Sequence, residues 1–415
     1  MALEHIRQLT CVACGRHYGT DTLYTCPACG LEGILDVEYD LELAARTLTP
    51  QALAGRPWTH WRYQELLPVD FSRPLPHLQV GMTPVYPTPR LADVVGVKSL
   101  WVKDDGRNPT GSFKDRASSV GVVKARELGK DVIACASTGN AASSLAGFAA
   151  AVGLKSFIFV PERAPEPKIA QLLIFGATVL RVRGTYDQVW MFCQEACAKY
   201  GWYNRNCAVN PYLVEGKKTV GLELGELLGD QVPDWVSLSV GDGCTIAGAW
   251  KGLKQMHQLG FLKRLPRMLG VQASGSAPIT EAWANKVDQI KPLEAQTLAD
   301  SIAVGHPKNW RKALKAIRES NGAMVNVEDA EILEAMRRTA RQAAVFAEPA
   351  GATSVAGVMA AVRQGVVGKE ESVLCVVTGN GLKDTKSAIQ ATTPPIDLPP
   401  EMDALEAELK ERRLL

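Results

Sequence analysis

Short apolar runs alternate with longer segments in which apolar residues recur every three or four positions. This rhythm predicts β-α-β units, whose parallel strands are covered by helices on both faces. The predicted strands are residues 99–103, 133–136, 157–160, 178–182, 235–240, 268–272 and 373–377. The predicted helices are residues 141–152, 167–175, 187–200, 215–228, 246–258, 277–287, 310–320, 329–342 and 354–364. An α/β fold with two doubly wound sheet domains and a cleft between them follows from this order.

Three glycine-rich turns directly follow predicted strands. Ligands of doubly wound sheets bind beyond the carboxyl ends of the strands, so we expect these turns to line the binding cleft. They are Ser137-Thr138-Gly139-Asn140, Gly241-Asp242-Gly243-Cys244-Thr245 and Thr378-Gly379-Asn380-Gly381.

The turn at 241–245 is the candidate for binding a phosphate group. Gly241 and Gly243 allow the backbone to approach a ligand closely, and the helix that begins after them offers unpaired N–H groups. A plain strand-to-helix turn is the alternative for this loop alone. A dinucleotide fingerprint is disfavoured, because Ile246 stands where its third glycine would be.

A lysine suited to covalent chemistry lies in residues 108–116, which read Asn-Pro-Thr-Gly-Ser-Phe-Lys-Asp-Arg. The turn ends at Ser112 in the expected N-cap position, which places Lys114 in the first turn of a helix. A free lysine has a pKa of about 10.4. The helix N-terminus and Arg116 would favour its neutral amine, which can form a Schiff base with an aldehyde. A solvated surface lysine is the alternative.

Two Cys-x-x-Cys pairs lie in the first 40 residues, and this spacing predicts a zinc ribbon. Gly15 and Gly30 follow the pairs, where tight turns need them. Four thiolates leave no open position on a zinc ion, so we expect a structural site. Chance spacing and a nucleic-acid-binding ribbon are the alternatives, and Arg7 and Arg16 give little basic charge for the second. The predicted ligands are Cys11, Cys14, Cys26 and Cys29.

The remaining segments complete the domain plan. Prolines between residues 41 and 80 exclude one long helix there, and Trp58, Trp61 and Tyr63 are expected to anchor this connector on the main body. The tail is expected to pack on the body, and contact with a partner chain is the alternative. The predicted domains are a zinc ribbon (1–40), a connector with the start of the large domain (41–108), a small α/β domain (109–205), a large α/β domain (206–393) and a tail helix (394–415).

Composition narrows the function classes. The chain carries 46 Lys and Arg against 44 Asp and Glu, so no surplus charge points to nucleic acid or to a membrane. No apolar stretch reaches the about 18 residues of a spanning helix, and the first ten residues lack the apolar centre of a signal peptide. We therefore expect a cytoplasmic protein whose other cysteines are reduced core residues. These are Cys135, Cys193, Cys197, Cys207, Cys244 and Cys375.

Five stretches, taken in order, resemble fold type II (tryptophan synthase β-like) pyridoxal-phosphate enzymes, and most closely the threonine synthase family. They are residues 108–116, 137–140, 210–219 (Asn-Pro-Tyr-Leu-Val-Glu-Gly-Lys-Lys-Thr), 348–352 (Glu-Pro-Ala-Gly-Ala) and 378–384 (Thr-Gly-Asn-Gly-Leu-Lys-Asp). The motifs are specific as a set, although each glycine loop is weak alone. The resemblance implies pyridoxal phosphate, an amino-acid substrate and a homodimer, and some members of the family carry a similar zinc ribbon.

The resemblance also implies a role for each site residue. Lys114 would bond the cofactor aldehyde and later move protons at the substrate carbons. Asn140 would hydrogen-bond the cofactor ring hydroxyl, and Thr378 would face the pyridine nitrogen. The other implied contacts are the cofactor phosphate at Gly241, Asp242, Gly243, Cys244 and Thr245, and the substrate carboxylate at Ser137, Thr138, Gly139 and Asn140.

Four positions depart from the residues usual in the family, where they contribute to binding the phosphate of O-phosphohomoserine. Each hydrogen bond to a charged group is worth about 1.5–3 kcal/mol, and an added anion at Asp242 would weaken phosphate binding further. Lys217, where the family often has Gln, would compensate in part. The four residues are Ala141, Ala208, Leu213 and Asp242.

The sequence thus predicts a pyridoxal-phosphate-dependent carbon–oxygen lyase of the threonine synthase type. Its first named reaction converts O-phosphohomoserine and water to threonine and phosphate. The alternative is β- or γ-elimination or replacement on an amino acid without a phosphate, as in a threonine or serine ammonia-lyase. A zinc-ribbon binding protein on a vestigial enzyme body is disfavoured, because Lys114, Asn140 and Thr378 are all intact.

Overall fold

The computed structural model describes residues 3–21, 24–206 and 209–415, and its strands form three sheets. The strands are β1 (Ile6–Cys11), β2 (His17–Tyr18), β3 (Leu35–Tyr39), β4 (Val85–Pro87), β5 (Ser99–Asp104), β6 (Val132–Ala136), β7 (Lys155–Pro161), β8 (Thr178–Val182), β9 (Tyr203–Asn204), β10 (Trp235–Ser239), β11 (Arg267–Ala273), β12 (Ala323–Val327) and β13 (Ser372–Val377).

Fifteen α-helices connect or flank these strands in the described ranges. They are α1 (Leu41–Ala45), α2 (Pro50–Ala54), α3 (Pro89–Val95), α4 (Lys114–Glu127), α5 (Asn140–Val152), α6 (Glu166–Leu173), α7 (Tyr186–Tyr200), α8 (Tyr212–Leu228), α9 (Cys244–Gln258), α10 (Pro278–Ala284), α11 (Trp310–Glu319), α12 (Asp329–Ala343), α13 (Pro349–Arg363), α14 (Thr385–Gln390) and α15 (Met402–Glu411).

The larger sheet has six strands in the order β12-β11-β10-β13-β5-β4. They pair in parallel except for β4, which runs antiparallel to β5 at the edge. Side chains that alternate along β10 and β13 enter two different cores, one shared with α8 and α9 and the other with α13. Both faces are therefore covered, which explains why these strands read as apolar runs.

The smaller sheet has four parallel strands in the order β8-β7-β6-β9. One face of this sheet packs on α4 and α5, and the other packs on α7. Helix α5 ends at Gly153, whose φ of 73° is a conformation that favours glycine. The predicted α/β architecture of two doubly wound sheets is confirmed.

The N-terminal sheet of β1, β2 and β3 is antiparallel and docks on the large domain. Asp36 Oδ1 on β3 accepts from Lys251 Nζ at 3.0 Å and from Lys312 Nζ at 2.8 Å. The ring of Tyr39 lies 3.5 Å from Lys218 Nζ, measured to the ring centroid. Charged and aromatic contacts thus join the cysteine-bearing segment to α8, α9 and α11.

The connector, the tail and the edge of the larger sheet agree with the sequence predictions only in part. Trp61 and Tyr63 are buried as predicted, but Trp58 is 52% exposed and does not anchor the connector. No side chain of the tail helix α15 is fully buried, although Leu405 and Leu409 are half-buried, so the packing of the tail stays a prediction. Strand β12 was not predicted from the sequence. The domain boundaries themselves stay a prediction.

Most of the scattered cysteines lie in the core. Five of the six cysteines outside the ribbon are buried, as expected for core residues, and Cys207 lies outside the described residues. None of the described helices combines the length and the apolar character that a membrane crossing requires.

Candidate active site

The turn that carries Lys114 is tied to the loop that carries Thr378. Strands β5 and β13 are parallel neighbours, so the loops after them meet at the same edge of the sheet. The Phe113 N–H donates to the Thr378 carbonyl at 2.9 Å, and the Asn380 N–H donates to the Gly111 carbonyl at 3.0 Å. Lys114 is half-buried as the first residue of α4, which agrees with the predicted first-turn position.

Two details of the predicted lysine turn are wrong. The N-cap of α4 is Phe113 rather than Ser112, and no side chain caps the helix. Arg116 is fully buried and engaged elsewhere: its Nε donates to Asp105 Oδ2 at 2.6 Å, and its Nη2 donates to Glu223 Oε2 at 2.9 Å. These carboxylates balance the guanidinium charge, so Arg116 does not supply the free positive field that the sequence suggested.

Asn140 joins the two sheets across the cleft. It begins α5, directly after β6 and the turn at 137–139. Its side-chain Nδ2 donates to Glu348 Oε1 at 2.6 Å and to Ser301 Oγ at 3.2 Å. The cavity at this place is lined from the small sheet by Thr138, Gly139, Asn140 and Ser143 and from the large sheet by Ser301, Glu348 and Lys383.

The predicted phosphate turn lies after β10, beside the Thr378 loop. Gly243 has a φ of 89° and precedes α9, whose first N–H groups begin at Cys244. A Cβ atom on Gly241 would lie 2.9 Å from Ile302 Cα, and one on Gly243 would lie 2.9 Å from the Asn309 carbonyl oxygen. Side chains are excluded at both positions because residues 302–309 pack directly on this turn.

Two buried polar groups near these turns lack a hydrogen-bond partner within the described part of the chain. They are the Ser112 hydroxyl, beside Gly379, and the side-chain amide of Asn309, beside Gly243. Buried polar groups are normally hydrogen-bonded, so unsatisfied ones mark places where a polar ligand fits. With Lys114 and the start of α9 they suit a molecule that bears an aldehyde and a phosphate.

The structure reveals one site residue to which the sequence argument gave no role. The carboxyl of Glu348 is buried, and burial raises its pKa to about 7, although Lys383, Lys114 and the Asn140 amide act in the opposite direction. Its backbone N–H donates to the Gly379 carbonyl at 3.0 Å, which places it beside the Thr378 loop. The sequence contains the run Glu-Pro-Ala-Gly-Ala, but its proline reads as an ordinary helix start, and nothing local assigns a function to the Glu before it.

The four positions that depart from the family pattern lie in different surroundings. Leu213 is fully buried, and a Cβ atom on Gly121 of α4 would lie 2.9 Å from it, so it packs between helices. Asp242 Oδ1 accepts from the Lys308 N–H at 2.6 Å, and burial raises the pKa of Asp242. Ala141 is half-buried at the start of α5. Ala208 lies outside the described residues.

The four ribbon cysteines converge. Their Sγ atoms all lie within 4.8 Å of one another. Gly15 and Gly30 adopt positive φ values of 74° and 58°, as the predicted turns require. A Cβ atom on Gly33 would lie 2.6 Å from the Cβ atoms of Cys26 and Cys29 and 3.2 Å from Cys11 Sγ of the other pair, so only a glycine fits between the two pairs. The four ligands are Cys11, Cys14, Cys26 and Cys29, a donor set that fits a tetrahedral zinc ion.

Comparison with protein families identifies the class. The family model described as pyridoxal-phosphate dependent enzyme matches residues 77–379, which include both larger sheets and the cleft between them. The chain belongs to this family of pyridoxal-phosphate-dependent enzymes.

The relatives define the group within that family. The threonine synthase of Methanocaldococcus jannaschii is 40% identical over 404 residues, covering 97% of this chain and 99% of its own. The threonine synthase of Methanosarcina acetivorans is 41% identical over 400 residues, covering 96% and 97%. This protein is accordingly a threonine synthase-like, pyridoxal-phosphate-dependent lyase.

Solved structures support the fold alone. Threonine deaminase isoform 2 of Solanum lycopersicum superposes with a TM-score of 0.64 at 24% identity, over 75% of this chain and 87% of that one. Maize serine racemase superposes with a TM-score of 0.63 at 20% identity, over 80% and 93%.

Proposed function

We propose that the protein is a threonine synthase, which converts O-phosphohomoserine and water into threonine and phosphate. The observation that carries the proposal is the likeness to threonine synthases along almost the whole chain, as with the Methanocaldococcus jannaschii protein. A likeness of this extent includes the lysine turn, the cleft and the cysteine segment together.

The cofactor-binding residues are proposed from their places in the cleft. The Lys114 amine would hold the cofactor aldehyde, the Asn140 amide would meet its ring hydroxyl, and the Thr378 hydroxyl would meet its ring nitrogen. The turn at 241–245 and the first N–H groups of α9 would bind its phosphate, because the positive end of a helix favours anions. When bound, the cofactor is an electron sink that stabilises negative charge on the substrate carbon beside the amino group.

The substrate would lie between Lys114 and the start of α5. The turn at 137–140 leads into the N-terminus of α5, whose positive end suits a carboxylate. Lys114 Nζ would remove the proton from the α-carbon of the substrate and return a proton during the later addition of water. Thus one amine would serve first to hold the cofactor and then as the acid and base.

A second candidate function is favoured by the altered phosphate-binding positions. Ala141 and Leu213 offer no side-chain hydrogen bond, and the Asp242 carboxyl is already bound by a backbone N–H. A substrate without a phosphate would not need those groups. Elimination from threonine or serine, with release of ammonia and a 2-oxo acid, is therefore the alternative.

Product analysis distinguishes the two reactions. The purified, pyridoxal-phosphate-loaded protein is incubated with O-phosphohomoserine and, separately, with threonine and serine. We expect phosphate release together with threonine formation. A 2-oxo acid from threonine or serine, without phosphate release from O-phosphohomoserine, would establish the alternative and reject the first proposal.

The role of Lys114 is tested by its visible absorption. Lys114→Ala should lose the visible band of the bound cofactor and at least about a thousandfold in activity, since it removes both the attachment and the acid–base group. Lys155→Ala, which changes an exposed lysine on β7, is the matched control and should keep both. An unchanged band in Lys114→Ala contradicts the assignment.

We also propose a structural zinc ion at the four ribbon cysteines. A Cys11→Ser, Cys14→Ser double variant should lose the bound zinc that elemental analysis detects in the unmodified protein. Cys135→Ser changes a buried cysteine of β6 and should retain the metal. Equal zinc in all three proteins excludes this site.

The assembly and the location of the protein stay predictions. A homodimer of 44.8-kDa chains is expected, and light scattering on the purified protein measures its mass. The cytoplasmic location is tested by fractionation of the source cells.

A further inference from the structure

Glu348 stands apart from the cofactor and substrate contacts proposed above. Its carboxyl lies where the two sheets meet, with the Asn140 amide 2.6 Å from Oε1. Asn140 is the residue proposed to meet the cofactor ring hydroxyl. A carboxyl that holds this amide therefore acts on the cofactor without touching it.

We infer that Glu348 is a positioning residue which, by gaining or losing one proton, sets how firmly the Asn140 amide is held away from the cofactor ring. An ionised carboxylate accepts a charge-assisted bond from Nδ2, which is stronger than a bond to a neutral carboxyl. The other Nδ2 bond, to Ser301 Oγ at 3.2 Å, involves a neutral hydroxyl and does not change with pH in the neutral range.

The surroundings of Glu348 bring its proton exchange close to neutral pH. The charged groups that act on it are Lys114 from α4, and Lys383 and Asp384 from the segment after Thr378. Lys168 and Asp300 line the same cavity and form an ion pair with each other. The two lysines favour the carboxylate, whereas burial and Asp384 favour the protonated form, and together they set its pKa at about 7. The amide would be held tightly above that pH and loosely below it.

The test follows the cofactor spectrum of the full-length, pyridoxal-phosphate-loaded protein against pH. We expect the visible band of the unmodified protein to change in one step within the neutral pH range. Glu348→Gln keeps the shape and the acceptor oxygen but cannot ionise, so the transition should be lost. Ser301→Ala removes the other partner of Asn140 without removing a titrating group, and the transition should remain.

Two results would overturn the inference: a band that is independent of pH in the unmodified protein, or the same midpoint in Glu348→Gln. Should that variant fail to fold, infrared spectroscopy of the unmodified protein decides instead. A protonated-carboxyl stretch should disappear as the pH rises through about 7, and its absence contradicts the inference. The inference rests on the proposed role of Asn140, but the spectra need no substrate, so its failure leaves the proposed reaction untouched.

Discussion

Two buried glutamates near the start of the lysine helix α4, Glu223 and Glu348, have very different partners. Glu223 faces Arg116, and its Oε2 lies 2.7 Å from Lys103 Nζ in a fully buried ion network. Glu348 faces a neutral amide at 2.6 Å. Burial alone would raise the pKa of Glu223, but Arg116 and Lys103 hold it below its ordinary value. In Glu348 burial prevails, and its pKa rises to about 7.

The opposite pKa shifts of the two glutamates distinguish a permanently charged structural group from one that can exchange a proton. A fully paired carboxylate stays ionised throughout the neutral range, so it fixes geometry and exchanges no protons. A carboxyl whose neighbours only partly offset its burial can gain and lose a proton near neutral pH. The Arg116 network thus anchors α4 and its lysine, whereas Glu348 leaves the cleft able to respond to pH.

The strongest way to break the network is to remove its central cation. Arg116→Met leaves Asp105 and Glu223 buried beside less positive charge, so the free energy of unfolding should fall by about 3–5 kcal/mol. Urea unfolding of the full chain measures this loss. Arg107→Met removes an arginine whose side chain is 61% exposed and should cost at most about 1 kcal/mol. Equal losses in the two variants would show that burial of the ion network is unimportant.

The contrast between the glutamates predicts opposite pH dependence of stability. Between pH 4.5 and about 7 the folded chain keeps a proton on Glu348 that the unfolded chain has lost. The free energy of unfolding should therefore fall by roughly 3 kcal/mol across this range, through Glu348 alone, and level off above it. Glu348→Gln should remove that part of the decline in urea unfolding without added cofactor.

Glu223 provides the comparison for this experiment. Because its folded pKa is depressed, its contribution is complete above pH 4.5 and is lost as the pH falls towards the folded value. Glu223→Gln should therefore lower stability at neutral pH and flatten the decline below pH 4.5. The same pH dependence in both glutamine variants would contradict the distinction between the two sites.

Much of the scaffold was predictable from local sequence. The strand Thr178–Val182 was predicted with its observed bounds, and the C-terminal end of α5 was predicted at residue 152, directly before Gly153. Both signals are local, because a buried parallel strand reads as an apolar run and a helix ends readily at a glycine with positive φ. The turns at 241 and 378 follow from the same logic, since the carboxyl ends of the neighbouring parallel strands β10 and β13 share one edge, and the turn at 137 lies at the corresponding edge of the smaller sheet.

What escaped prediction depends on contacts distant in the chain. Asn140 and Glu348 are 208 residues apart, so no local pattern shows that the amide holds the carboxyl. The sequence suggested that the charge of Arg116 acts on Lys114. Its partner Glu223 lies 107 residues away in the chain, so the local sequence does not show that this charge is balanced. In the sequence, Leu213 is only a departure from the family pattern, and its contact with Gly121 of α4 is visible only in the fold. Sequence spacing identifies groups, whereas burial and partners decide their charge.

The smallest expected effect on stability concerns the ion cluster of Asp36, which is less buried than the Arg116 network. Asp36 of the ribbon pairs with Lys251 and Lys312, yet its side chain is 34% exposed. Water and salt screen such a cluster, so Asp36→Asn should lower the unfolding free energy by only about 1 kcal/mol, and by less at high salt. Glu32→Gln removes a more exposed partner of Arg311 and should change it less still. A loss from Asp36→Asn as large as that from Arg116→Met, and independent of salt, would mean that the ribbon docks through a buried network like that of Glu223.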